Sequence, residues 1–321
     1  MRELKPIVID KYIISALRED MTSGDITTDA ILKDEKGEVS LISKDRGIIA
    51  GLDVFKRVFE ILDEDATFEF NFSDGDEVNN SDLVGTIRAK ARAILEGERT
   101  ALNYLQRMSG IATYTKKMVD SLNSDSVKIL DTRKTTPGMR ILEKYAVTLG
   151  GAYNHRYNLS DGIMIKDNHI DAAGGIKNAI EKVRSLNPFV KKIEVEVENL
   201  DEVKEALEAK ADIIMLDNMN IEEIKEAAKL IDKRAIIECS GNISLENIND
   251  YKDLDIDYIS SGAITYQAGV LDLSMKNLKI LKIYWGRYEG TKNTKRWPIK
   301  IFIWQSKANI RRKVGRKIWC N

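Results

Sequence analysis

The apolar positions of the first hundred residues change period several times. Ile9 to Leu17 carries them at helical spacing and predicts a short helix. Thr22 to Thr28 reads as a turn-rich loop. Glu38 to Ser43 alternates, with Val39 and Leu41 on one face, which is the period of a strand. Leu52 to Leu62 sets Val54, Phe55, Val58, Phe59 and Leu62 on one stripe and predicts an amphipathic helix. Phe68, Phe70 and Phe72 alternate with Glu69 and Asn71, so a strand with one buried face is expected, closed by a turn at Ser73 to Asp76. A long helical pattern runs from Ala91 to Leu122, with Ser109-Gly110 as the place for a break.

From Val127 the pattern becomes strand, helix, strand, helix. The predicted strands are 127–131, 162–165, 193–197, 213–216, 236–239 and 258–260. Helices are expected over 139–149, 172–185, after Asn199, after Asn220 and briefly after Ser244. Asn199 with Glu202, and Asn220 with Glu223, have the spacing of helix caps. Repeated units of this length give a parallel sheet with right-handed crossovers, either open and doubly wound or closed toward a barrel.

The residues at the strand ends separate those two architectures. In order they are Asp131-Thr132-Arg133-Lys134, Lys166, Glu196, Asp217, Ser240-Gly241-Asn242 and Ser261-Gly262-Ala263. Polar groups at successive C-terminal strand ends, converging on one mouth, are the barrel pattern. The Ser-Gly turns expose backbone N–H groups and suit a phosphate.

Composition adds three constraints. A chain of 321 residues buries roughly 75% of its unfolded surface. No run reaches the length of a membrane span, the first residues have no signal-peptide core, and Cys239 and Cys320 lack metal-ligand spacing; a reduced, cytoplasmic setting is expected. The net charge of -1 hides an asymmetry. Residues 284–321 hold 11 Lys+Arg, one acid and all four tryptophans, leaving 39 basic and 50 acidic residues in the first 283. That tail could bind nucleic acid or an anionic surface, or be an extension without function; its lack of motif and period favours the second.

Both histidines and six Lys/Arg residues fall between Ile129 and Ile170. A solvated basic face would spread such cations along helices. Here Arg133, Lys134, Arg156 and Lys166 stand at predicted loops, the arrangement for a ligand with several negative charges. His155, beside Arg156 after a Gly-Gly turn, reads as part of the same anion site rather than a satisfied core histidine. A lone carboxylate at a strand end often only caps a helix. Two at neighbouring ends, Glu196 and Asp217, suit Mg²⁺ or sugar hydroxyls. Lys166 alone also fits the Schiff-base lysine of a barrel aldolase. Together these residues describe a barrel enzyme for a phosphorylated sugar and a second anionic substrate.

The motifs then carry a resemblance. Asp131 to Gly138 (DTRKTTPG), Glu143 to Val147, Asn154-His155-Arg156, Ile165 to His169, Ser23 to Thr28, Gly97 to Asn103, Leu105 to Ala112, Glu194 to Val197, Leu216-Asp217-Asn218 and Leu271-Asp272 resemble the quinolinate phosphoribosyltransferases over roughly residues 10–283. The resemblance implies an α/β class chain of type II phosphoribosyltransferase form: an N-terminal α/β sandwich (1–105), an open TIM-like β/α barrel (106–283) and a basic extension (284–321). It implies phosphoribosyl transfer from 5-phosphoribosyl 1-pyrophosphate to quinolinate with decarboxylation, a need for Mg²⁺, and a homodimer with shared sites. Lys134, Lys166, Glu196 and Asp217 would be catalytic. Arg99 of a second copy, Thr132, Arg133, His155, Arg156 and Lys166 would surround the substrates, with Glu196 and Asp217 serving ribose and Mg²⁺. Ser240, Gly241, Asn242, Ser261, Gly262 and Ala263 would hold phosphate. A relative acting on another pyridine or pyrimidine acid is the alternative within the fold. Two positions depart from the pattern: Asn242 replaces a second glycine, and Tyr266 stands where a histidine often does.

Overall fold

The computed structural model describes residues 4–186 and 192–281, with two further short strands at Ile283–Tyr284 and Ile301–Phe302. The remainder of the expected 284–321 extension lies outside the described residues. No described helix is long and apolar enough to cross a membrane.

The first unit contains α1 (Pro6–Asp20), α2 (Ile26–Ile31), β1 (Lys36–Ser43), β2 (Gly47–Ile48), α3 (Leu52–Leu62), β3 (Thr67–Phe70), β4 (Glu77–Val78) and β5 (Leu83–Lys90). Helix α1 outruns the expected Ile9–Leu17 because Pro6, which lacks a donor, suits the first turn. The expected loop at 22–28 is only half right. Asp25 accepts from the N–H groups of Thr27 and Thr28, each at 3.0 Å, and this cap starts α2. Strand β1 buries every second residue, as its alternation predicts. Strand β3 does not: its phenylalanines are only half-buried, and Phe72 lies beyond its end. Phe55 and Phe59 of α3 form the centre of this core, each worth about 1.5–3 kcal/mol of burial.

Helix α4 (Ala91–Leu122) is unbroken and spans about 48 Å. Ser109 and Gly110 do not interrupt it. The Ser109 hydroxyl accepts from the Ala50 N–H at 2.9 Å, and Gly110 is where the backbone of Gly269 presses on the helix, leaving no room for a side chain. These two residues are contacts rather than a hinge.

The barrel elements follow: β6 (Lys128–Leu130), α5 (Arg140–Leu149), β7 (Ile163–Ile165), α6 (Asp167–Ala173), α7 (Ile176–Leu186), β8 (Ile193–Val197), α8 (Leu200–Glu208), β9 (Ile213–Asp217), α9 (Ile221–Ile231), β10 (Ile236–Ser240), β11 (Tyr258–Ser260) and α10 (Ala263–Tyr266). The single helix expected over 172–185 is two, divided where Gly174 takes a left-handed φ of 79°. Asn199 and Asn220 cap α8 and α9 as their spacing predicts. After Ser244 comes only a 3₁₀ turn, Ile248–Tyr251.

The six strands are parallel in the order β6-β11-β10-β9-β8-β7, and Tyr153 bridges Leu130 on the outer side of β6. Pairing therefore runs from Tyr153 through β6 to β7, with β7 at the other edge. Strand β12 (Leu273–Leu281) leaves the barrel and pairs antiparallel with β1, giving a first sheet of order β12-β1-β5-β3. The linear division at 105/106 had placed 273–281 with the barrel; its backbone partners are in the N-terminal sheet.

Candidate active site

Alternate residues of the barrel strands point inward, so successive strands supply one cavity. A cleft of about 540 Å³ opens at the C-terminal strand ends. Its wall carries the cations Arg133, Lys134, Arg156 and Lys166 with Thr132 and His155. Glu196 and Asp217 face them, and Ser240, Gly241 and Asn242 close one side.

Local bonds hold each group. The 132–138 loop is fastened by Glu143 of α5, which is fully buried. Glu143 accepts from the Thr136 N–H at 3.0 Å, from the Thr136 hydroxyl at 2.8 Å and from Arg107 of α4 at 3.0 Å. Arg107 also donates to the carbonyls of Ala268 and Thr265. Below the loop, Asp131 and Lys144 form a buried ion pair that grips one residue from both sides. Asp131 accepts from the His155 N–H at 2.8 Å, and Lys144 donates to the His155 carbonyl at 3.0 Å. Burial, opposed by Lys144, raises the Asp131 carboxyl to about 6. Asn154, with its amide nitrogen turned inward, donates to Lys144 and Asp131.

The electrostatics favour an anion in the cleft. Burial, and then the neighbouring Arg133, work against the charge on Arg156. An anion between the two guanidinium groups removes that penalty. Lys166 pairs with Glu196, keeping an ammonium beside a carboxylate at the rim. His155 turns inward, its Nε2 lying 3.2 Å from Glu194 and 3.5 Å from Glu238. Burial disfavours the charged imidazole, but the two carboxylates outweigh it and raise His155 to about 10.

The comparisons agree with this geometry. Residues 25–109 match the family described as quinolinate phosphoribosyl transferase, N-terminal domain, and residues 111–276 match its C-terminal domain. A probable carboxylating nicotinate-nucleotide pyrophosphorylase of Bacillus subtilis (strain 168) is 43% identical over 257 residues, covering 80% of this chain and 89% of that protein. A decarboxylating quinolinate phosphoribosyltransferase (1b) of Nicotiana tabacum is 39% identical over 281 residues, covering 81% of this chain and 80% of that protein. The crystal structure of NadC from Streptococcus pyogenes superposes with a TM-score of 0.85 at 50% identity, covering 88% of this chain and all of that one. The chain belongs to the quinolinate phosphoribosyltransferase family.

Not every residue carried over from that family lines the cleft. Ser261, Gly262 and Ala263 stand behind it. The Ser261 hydroxyl donates to the Ile243 carbonyl at 2.6 Å, and the turn backs the Lys134 loop, whose carbonyl accepts from Thr265 at 2.7 Å. Ser260 lines the cleft in their place, with its buried hydroxyl unpartnered. The chain's own Arg99 lies in a separate cleft with Glu19, Asp20, Tyr104 and Arg107. Asn242 has a φ of 51°, a left-handed position where Asn is the usual substitute for Gly, and its amide donates to Asn218 at 3.1 Å. Tyr266 is exposed, lies against Gly262 and does not line the cleft.

Sequence reasoning missed Glu194, Glu238, Met164, Met215, Asn218 and Ser260, all at or under the cleft. The signal for Glu194 was present: in Ile193-Glu194-Val195-Glu196-Val197 the two glutamates share one face.

Proposed function

We propose that this protein transfers the phosphoribosyl group of 5-phosphoribosyl 1-pyrophosphate to quinolinate, releasing pyrophosphate and CO₂ and forming nicotinate mononucleotide. The observation that carries the reading is the single cleft in which Arg133, Lys134, Arg156 and Lys166 face Glu196 and Asp217. Membership of the family supports it, as do the names of the relatives. Arg133 and Arg156 suit the two carboxylates of quinolinate, which need desolvated, fork-shaped donors. Lys134 and Lys166 suit the pyrophosphate. The pyridine nitrogen forms a bond to ribose C1 as the C1–oxygen bond to pyrophosphate breaks. Positive charge on the ribose develops opposite Glu196 and Asp217, which are placed to stabilise it. The nitrogen, now cationic, accepts the electron pair of the carbon–carboxylate bond as CO₂ leaves, and the ring carbon takes a proton. No protein nucleophile is required.

The oxygen donors of Glu196 and Asp217, at adjacent strand ends, suit the hard cation Mg²⁺. Bound there, Mg²⁺ would neutralise charge on the departing pyrophosphate. A homodimer belongs to the same proposal. Arg99 lies outside the cleft of its own chain, and Ile7, Ile26 and Ile31 leave apolar surface exposed on α1 and α2. We place the activity in the cytoplasm.

The test is nicotinate mononucleotide formation from quinolinate, phosphoribosyl pyrophosphate and Mg²⁺, with nicotinate as a control acceptor. Product from quinolinate alone is expected. A folded protein giving none, or using nicotinate equally well, would refute the assignment.

A further inference from the structure

Glu194 and Glu238 are 4% and 1% exposed, yet neither caps a helix nor meets a lysine or arginine in an ion pair among the described residues. They come from β8 and β10, strands separated by β9, and converge on one imidazole nitrogen. Nε2 of His155 is 3.2 and 3.4 Å from the two oxygens of Glu194 and 3.5 Å from one oxygen of Glu238. The second Glu238 oxygen is buried without a partner. Burying two carboxylates is costly unless a proton or cation offsets them. The offset is built in: His155 supplies the proton, and Arg156 supplies a charge that acts on Glu194.

The rest of His155 is equally constrained. Asp131 and Lys144 hold its backbone, and the Arg156 N–H points at Nδ1 from 2.7 Å. In the neutral ring Nδ1 accepts that bond and the single proton, on Nε2, faces the glutamates; in the charged ring Nδ1 carries a proton of its own and gives the bond up, so Nε2 keeps its proton toward the glutamates in both states. His155 and Glu238 line the cleft, and both also line a second cavity of about 360 Å³ toward the N-terminal strand ends, so they form a partition between the two.

We infer that Glu238 and Glu194 are positioning residues of the acceptor site: they hold the Nε2 proton of His155 inward and fix the imidazole as the floor on which the acid substrate rests. This rests on the functional reading above. The other charged or titratable groups around the ring are Asp131 after β6, Lys144 on α5, Arg156 and Asp161 before β7, Lys192 before β8 and Tyr258 on β11. The two glutamates are the ones in contact with Nε2. Two buried carboxylates against one nitrogen hold the Nε2 proton in place in either state of the ring, so the face that the floor turns inward stays the same.

The test uses ¹⁵N-labelled full-length protein. The chain has two histidines, so a His169→Asn variant assigns the ring signals of His155. From pH 6 to 9 Nε2 of His155 stays protonated. In Glu238→Gln, and more fully in Glu194→Gln/Glu238→Gln, a His155 titration enters that range. In the double variant KM for quinolinate rises about tenfold or more, with KM for phosphoribosyl pyrophosphate within about twofold. The loss grows as pH rises through the new His155 transition. The inference is overturned if Nε2 of His155 in the unaltered protein loses its proton between pH 6 and 9. A folded double variant with both KM values unchanged would also overturn it. So would stoichiometric Zn²⁺ binding that Glu238→Gln abolishes, because a metal would then occupy the place of the proton. The NMR arm needs no turnover. A protein that made no nicotinate mononucleotide would fail the functional reading alone and leave His155 to decide this one.

Discussion

The rim and the floor of one barrel carry the same kinds of side chain and use them differently. At the rim, Lys166 pairs with Glu196 while its side chain stays 41% exposed, and Arg133 and Lys134 face solvent. At the floor, Lys144 pairs with Asp131 at 3% and 0% exposure, and both also hold the backbone of His155. Charge type does not separate the two regions. The number of bonds already made inside the protein does. A side chain with access to solvent is available to a ligand, whereas one buried against partners inside the protein sets geometry. By that measure the rim binds and the floor positions.

The sharpest way to break this contrast is to exchange the outcomes of two lysine substitutions. Lys166→Ala removes a rim cation and is expected to cut kcat/KM by about 10³-fold, near 4 kcal/mol, with a stability change under about 1 kcal/mol. Lys144→Met should do the reverse first. It leaves the Asp131 carboxylate buried and unpaired, a loss of about 3–5 kcal/mol in urea unfolding. If Lys144→Met folded as stably as the unaltered chain, or Lys166→Ala unfolded it, the division between rim and floor would fall.

A smaller effect is read from pH. His155 is raised from 6.5 to about 10 in the folded protein. A group raised in this way contributes stability that is fully present below pH 6.5 and is lost as pH climbs toward about 10. Comparing the unaltered protein with His155→Asn should show a pH-dependent difference on the order of 1–3 kcal/mol, greatest near pH 6 and closing by pH 10.

The rim was legible in the sequence because its residues interrupt apolar strands at their C-terminal ends. Thr132, Lys166, Glu196, Asp217 and Ser240 all reach the cleft as their positions predict. The floor was harder to read. Glu194 and Glu238 sit within strands, where a carboxylate gives no local sign of the strand two places away that it meets. One-residue register also matters, since side chains alternate faces. Ser260, the last residue of β11, lines the cleft, while the Ser261 hydroxyl one position on donates to the Ile243 carbonyl. The return of β12 to the first sheet left no local trace, because it depends on pairing between residues more than two hundred positions apart. Arg99 lies outside the cleft of its own chain.

The smallest effect concerns the backbone of the rim. Position 242 has a φ of 51°, which L-residues adopt at a cost of roughly 1–2 kcal/mol and which Gly and Asn tolerate best. Asn242→Gly removes that strain but also the 3.1 Å bond to Asn218. The two terms oppose, so stability should move by less than about 1 kcal/mol and KM for phosphoribosyl pyrophosphate by less than about threefold. Asn242→Val keeps a side chain but cannot relieve the strain, and should lose about 1–2 kcal/mol. Urea unfolding and the two KM values measured together decide the case. A large rise in KM for Asn242→Gly with stability unchanged would mean that the Asn242 amide itself binds phosphate. The rim would then recognise its ligand through this side chain as well as through the turn that Asn242 shapes.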